Sequence, residues 1–168
     1  MPEPLTDLAL RMVRDRATMR ASIVTPMLVW LAPSEPNPDE SWEHTDAGAG
    51  REVRPRTGNP MVFRVEKRAG THNAFAMAVT IGRIDSNDVQ IDDASVSRFH
   101  AYLQRDAKTG LWLVTDAESN HGTFLGDMQL KPNVKTPLHD KARLRVGDAE
   151  LRFFFPQSFL TYLEVPDP

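Results

Sequence analysis

Gly82-Arg83-Ile84-Asp85-Ser86-Asn87-Asp88, Ser95-Val96-Ser97-Arg98-Phe99-His100 and Ser119-Asn120-His121-Gly122-Thr123 are three polar clusters within one stretch of the chain. Between them lie Val89-Gln90-Ile91, Phe99 to Arg105 and Leu111 to Thr115, which alternate apolar and polar residues and are rich in β-branched and aromatic side chains. Such alternation predicts short half-buried strands, because successive strand side chains point to opposite faces. Polar clusters between short strands fall on loops, and the strands hold those loops in place.

The residue types on the loops suit a phosphate. Arg83 follows the β-branched strand end Val79-Thr80-Ile81 and Gly82. A guanidinium gives a phosphate dianion two parallel hydrogen bonds where Lys offers a point charge. The Gly before it lets the backbone turn or approach another group closely. Ser97 offers a hydroxyl and a main-chain N–H without bulk, with Arg98 beside it. Plainer readings exist for each: Arg83 as a solvated charge at a strand end, Ser95 and Ser97 as turn formers.

Gly82-Arg83, Ser97-x-x-His100 and Ser119-x-x-Gly122-Thr123, in this order and at fitting intervals, resemble the three signature motifs of the forkhead-associated (FHA) domain. The resemblance implies an all-β fold, an FHA-type β-sandwich of about ten to eleven short strands, whose loops at one end bind a phosphothreonine peptide. It implies that Arg83 and Ser97 grip the phosphate and that Asn120 donates an amide. Arg98 is either a second phosphate contact or a peptide-facing charge. His121 occupies the position where most members carry an Asn that holds the peptide main chain. The run His121 to Gly126 is similar to that of a phosphothreonine-binding member of the family. By the same likeness Gly82, His100, Gly122 and Thr123 support the binding loops, with His100 buried and tying one loop to its neighbours.

The expected function is a phosphothreonine-peptide-binding module that recruits a partner phosphorylated by a Ser/Thr kinase. The alternative is an FHA-fold scaffold that binds a protein through its sandwich face without phosphate. The partner is a phosphothreonine-containing protein or peptide, with the kinase itself a further candidate. No enzyme activity is expected: Ser97 with His100, or His121 with Asp116, could be paired as nucleophile and base, but no nucleophile elbow or oxyanion-hole motif accompanies them. The five histidines lack metal-site spacing and Cys is absent, so neither a metal, a disulfide nor a cofactor is expected. A net charge of −3 and a pI near 5.9 argue against nucleic acid as the main partner. No stretch has a signal-peptide layout or nears the roughly 18 apolar residues of a membrane span, so a cytoplasmic setting without membrane contact is expected.

Around the signature, 168 residues suffice for one domain with an appendage. Residues 1–31 form an N-terminal segment, with an amphipathic helix over Pro4 to Arg20 and an apolar strand or extended run over Met27 to Leu31. Its arginines, Arg11, Arg14, Arg16 and Arg20, read as a solvated face. Residues 32–60, rich in Pro, acidic residues and Gly, read as a linker with Trp42 its one anchored side chain. Within that linker, Arg54-Pro55-Arg56-Thr57 reads as plain solvated chain, with a site for a basic-directed kinase as the alternative. The FHA domain is expected over residues 61–156, opening with a hairpin of Met61 to Lys67 and Phe75 to Ile81. Gly126-Asp127 and Gly147-Asp148 mark further hairpins. Residues 157–168 form a short helix or tail. Phe153-Phe154-Phe155 cannot all face one core, so a second apolar layer must cover the far face, or the patch would favour self-association. The N-terminal helix and the Phe159, Leu160, Leu163 stripe are the candidates for that cover.

Overall fold

The computed structural model describes residues 2–31, 58–70, 73 and 75–164. The alternating segments form strands in two sheets. The larger sheet has the order β1 (Glu3–Pro4), β3 (Met61–Arg64), β2 (Met27–Trp30), β12 (Ala149–Phe154), β11 (Arg143–Val146), β8 (Thr123–Leu125) and β9 (Met128–Gln129). The smaller runs β10 (Thr136–Leu138), β7 (Trp112–Asp116), β6 (Ala101–Arg105), β4 (Val79–Gly82) and β5 (Val89–Gln90). The expected β-sandwich is present, with twelve strands among the described residues.

The core lies between the sheets and includes Leu28, Ile81, Val89, Leu103, Val114 and Phe153, all without solvent exposure. Strand β12 shows why. Ala149, Leu151 and Phe153 are buried in this core, while Glu150 and Arg152 face away from it, as the two-residue strand period requires. Phe154 points to the opposite face. There α1 (Leu5–Arg14), α2 (Arg16–Ser22) and α3 (Pro156–Glu164) build a second cluster in which Leu8, Met12, Met19, Phe154, Phe159 and Leu163 are buried. Phe155 stays at the rim with its ring edge-on to Phe153, centroids 5.5 Å apart. Burying two such side chains in the helical layer contributes about 3–6 kcal/mol before ordering costs.

Three expectations change. First, Met61 to Lys67 and Phe75 to Ile81 do not form a hairpin. They contribute β3 and β4, which lie in different sheets, because β3 is already flanked by β1 and β2. Second, β2 is an interior strand: Met27 to Trp30 pair with β12 on one side and with β3 on the other. The sandwich therefore draws on chain that precedes residues 32–60. Third, the N-terminal helix is interrupted. Asp15 leaves helical geometry at φ −147°, and its carboxylate accepts from Thr18 N at 3.0 Å and Thr18 Oγ1 at 2.6 Å, capping α2. An aspartate offers the backbone this local alternative to a continuous helix.

The arginines of the N-terminal helices are exposed, and several are ion-paired. Arg16 and Arg20 reach Glu164 of α3 at 3.4 and 2.8 Å, and Arg11 pairs with Glu3. Both Gly-Asp hairpins are present, with Gly126 at φ +60° and Gly147 at φ +59°, the left-handed backbone that glycine adopts without strain. No helix among the described residues is long and apolar enough to cross a membrane. Trp42 and Arg54-Pro55-Arg56-Thr57 lie outside the described residues.

Candidate functional site

Three loops meet at one end of the sandwich. The first follows β4 and carries Arg83; the second, between β5 and β6, carries Ser97 and Arg98; the third, between β7 and β8, carries Asn120 and His121. Ser97 joins all three. Its carbonyl accepts from Arg83 N at 3.0 Å, and its Oγ accepts from Asn120 N at 3.1 Å. Its own N–H donates to Nδ1 of His100 at 3.0 Å. The Ser97 N–H is therefore committed inside the protein, and what Ser97 can offer a ligand is its hydroxyl proton.

His100 is fully buried and serves as the crosspiece of the site. Since Nδ1 accepts from Ser97, the ring proton sits on Nε2, which donates to the Gly122 carbonyl at 3.0 Å. Burial pushes its pKa below the ordinary imidazole value. That effect outweighs the Gly122 carbonyl and the Asp116 carboxylate, which pull the other way. The ring is thus held neutral in one tautomer. This geometry also removes the serine–histidine pairing, because Nδ1 is occupied by the Ser97 N–H and has no lone pair left for the Oγ proton. The other pairing fails too: Asp116 is buried and accepts from Ser119 Oγ, Ser119 N and Thr123 Oγ1, while His121 is exposed.

Gly82 is required by close approach. A Cβ there would lie 2.3 Å from the Arg98 carbonyl oxygen and 2.6 Å from Asn87 Nδ2. The absent side chain lets two binding loops touch each other. Gly122 takes φ +79°, and its carbonyl also accepts from Gly147 N at 3.0 Å. Thr123 is fully buried and anchored on Asp116. The four expected supports, Gly82, His100, Gly122 and Thr123, thus lie beneath the loops.

The expected contact residues lie above them. Arg83, Arg98, Asn120 and His121 are exposed, and Ser97 is half-buried. Among the described residues, the guanidinium groups of Arg83 and Arg98 make no hydrogen bond or ion pair.

Several supports escape sequence reasoning. Asn87 is buried and donates to the carbonyls of Ile84 at 2.9 Å and Arg98 at 2.7 Å, locking the first loop onto the second. The Asp88 carboxylate is buried and accepts from Lys67 Nζ at 2.7 Å, Thr80 N at 2.9 Å and Arg68 N at 3.0 Å. Ser95 Oγ accepts from Asp148 N at 2.7 Å, which brings the β11–β12 turn against the second loop.

Two facing sheets with hydrogen-bonded loops gathered at one end define a β-sandwich. The family model for the FHA domain matches residues 79–147. Over 78 residues it is 33% identical to the transcriptional regulatory protein EmbR of Mycobacterium tuberculosis, a match covering 46% of this chain and 19% of EmbR. Over 71 residues it is 31% identical to an FHA domain-containing protein of Arabidopsis thaliana, covering 42% of this chain and 18% of that protein. The matched region thus spans less than a fifth of these relatives. The solved FHA domain of an Arabidopsis thaliana hypothetical protein has the same fold, with a TM-score of 0.50 at 19% identity over 79% of this chain and 87% of that one. EmbR, solved with a low-affinity phosphopeptide, gives 0.42 at 28% identity over 46% of this chain and 20% of that one.

Proposed function

We propose that this chain is a phosphothreonine-peptide-binding module that recruits a partner phosphorylated by a Ser/Thr kinase. The observation that carries this reading is the pairing of Arg83 with Ser97. Their main chains are hydrogen-bonded at 3.0 Å, the Arg83 side chain is exposed and has no hydrogen bond or ion pair among the described residues, and the Ser97 hydroxyl keeps its proton while its oxygen is held by Asn120 N. A planar cation whose main chain is tied to that of a hydroxyl donor offers a phosphate monoester charge-assisted bonds. Arg98, Asn120 and His121 border this pair and contact the peptide around the phosphate. The module has no catalytic role in this reading: it holds a product of the kinase, in the cytoplasm where that kinase works, and the kinase is itself a candidate partner. Calorimetry with a degenerate phosphothreonine peptide library and its unphosphorylated counterpart tests the proposal. Binding confined to the phosphorylated library supports it, and equal binding of both, or of neither, refutes it.

A further inference from the structure

The helical layer packs on Met27, Val29, Val62 and Phe154, which is only part of the outer face of the larger sheet. Beside it the outward side chains of β8, β11 and β12 line an open pocket of about 440 Å³, with Leu31, Phe124, Arg143, Arg145, Glu150 and Arg152 in its walls. The pocket shares no residue with the phosphate loops. Its Arg145 guanidinium lies over the Phe124 ring, 3.7 Å from the centroid, and donates to the Gly147 carbonyl at 2.8 Å. Arg143 and Arg152 are direct cross-strand partners, a position in which like charges cost stability. Asp127 approaches Arg143 at 3.5 Å, but the two side chains are 69% and 103% exposed and water screens the pair. An acidic side chain laid between Arg143 and Arg152 turns their repulsion into attraction.

We infer that this pocket is the docking site of an acidic stretch of the same chain, residues 33–46. The place where that stretch begins supports this. Leu31 is a wall of the pocket, its N–H donates to the Glu150 carbonyl at 3.1 Å, and the chain runs from it directly into residues 32–57, which lie outside the described residues. The chain returns at Met61, the cross-strand partner of Trp30, so both ends of the segment are fixed at one edge of the pocket. Charge supports it too. Glu35, Asp39, Glu40, Glu43 and Asp46 all precede the first Lys or Arg after Leu31, which is Arg51. Arg145 stands two strands from Leu31, about 10 Å, and four residues of chain span up to about 14 Å, so Glu35 already reaches it. Trp42 is the one Phe, Tyr or Trp of the segment, and an indole suits walls made of Phe124 and guanidinium planes. A second copy of the chain is a poor occupant, because a twofold contact sets these arginines against their own copies. The tethered stretch meets the pocket at an effective concentration on the order of millimolar, which an acidic stretch of another protein must outcompete.

Fluorescence polarisation with a labelled synthetic peptide of residues 33–47 tests this. It is titrated with the full chain and with a full-length variant carrying E35Q, D39N, E40Q, E43Q and D46N. The variant is expected to bind the peptide at least about tenfold more tightly than the wild type, because its own stretch no longer competes for the arginines. Adding Arg143→Glu to that variant should remove most of the gain, and adding Arg152→Glu the rest. Arg143 is 69% exposed, so its replacement leaves the fold intact and decides the matter even if Arg152→Glu unfolds the chain. Equal affinity of the wild type and the variant overturns the tethered occupant and gives the pocket to an acidic stretch of another protein. Binding by neither, or binding unaltered by Arg143→Glu, overturns the pocket as a site for acidic chain.

Discussion

The main-chain N–H of Ser97 donates to Nδ1 of His100 at 3.0 Å, so the shape of the second loop depends on the protonation state of a buried imidazole. A second ring proton would occupy Nδ1 and break that bond. Burial lowers the His100 pKa in the folded chain, so the unfolded chain takes up the proton first as pH falls. Stability is therefore full above the ordinary His value of about 6.5 and declines as pH falls through it towards the folded pKa. Thermal melting of the unliganded chain is expected to drop between pH 6.5 and 5. Asp15, Asp106 and Glu164, also lowered, start from 3.8, 3.8 and 4.5 and act below this window. His100→Gln should flatten the profile, and equal slopes in the two proteins would remove His100 as its cause.

Arg83→Ala is expected to abolish phosphopeptide binding without loss of fold, because its guanidinium is exposed and has no partner among the described residues. The loss should be about 2–5 kcal/mol, the range for truncating one member of a hydrogen-bonded charge pair. Ser97→Ala should weaken binding less, since one hydroxyl disappears while the N–H stays on His100. Calorimetry on both variants ranks the two contacts, and an unchanged Arg83→Ala affinity would move the phosphate elsewhere.

Gly82→Ala would press a methyl group against the Arg98 carbonyl and the Asn87 amide, both well inside contact distance. Overpacking of this kind costs about 1–3 kcal/mol. Urea unfolding should show that loss together with weaker peptide binding, because the displaced groups belong to two binding loops.

His121→Asn is expected to keep peptide affinity and His121→Ala to lower it. Identical affinities in all three proteins would take His121 out of the site.

A chain beginning at Gly58 lacks β2, and β3 and β12 lose the strand between them. It also lacks α1 and α2, exposing Phe154 and Phe159. Aggregation or a markedly lower melting temperature is expected. A monomer melting like the full chain would show that the larger sheet closes without its N-terminal strand.

The loop cluster of Arg83, Ser97 and His100 was legible because these residues are chemically unusual at their spacing: an Arg after a strand-ending Gly, then Ser and His three apart. The split of Phe153 and Phe154 between two layers followed from the strand period alone. The pairing of Met27–Trp30 with Met61–Arg64 was not legible, since nothing local to either run shows that residues more than thirty positions apart are neighbours. Asn87 and Asp88 were missed for another reason. Asn and Asp between strands are ordinary turn formers, and only burial turns them into the polar pins of the loops. Thr136–Leu138 had no strand reading in the sequence, and it forms an edge strand, the place where a sheet tolerates Pro137.

The three loops are joined by hydrogen bonds formed within the chain itself: Arg83 to Ser97, Asn120 to Ser97, Ser97 to His100 and His100 to Gly122. Their ordering is therefore completed during folding, and a peptide arrives at a surface that needs no rearrangement. Such preorganisation moves the entropy cost away from the encounter. Partners of differing affinity should then associate at similar rates and differ chiefly in how long they remain bound.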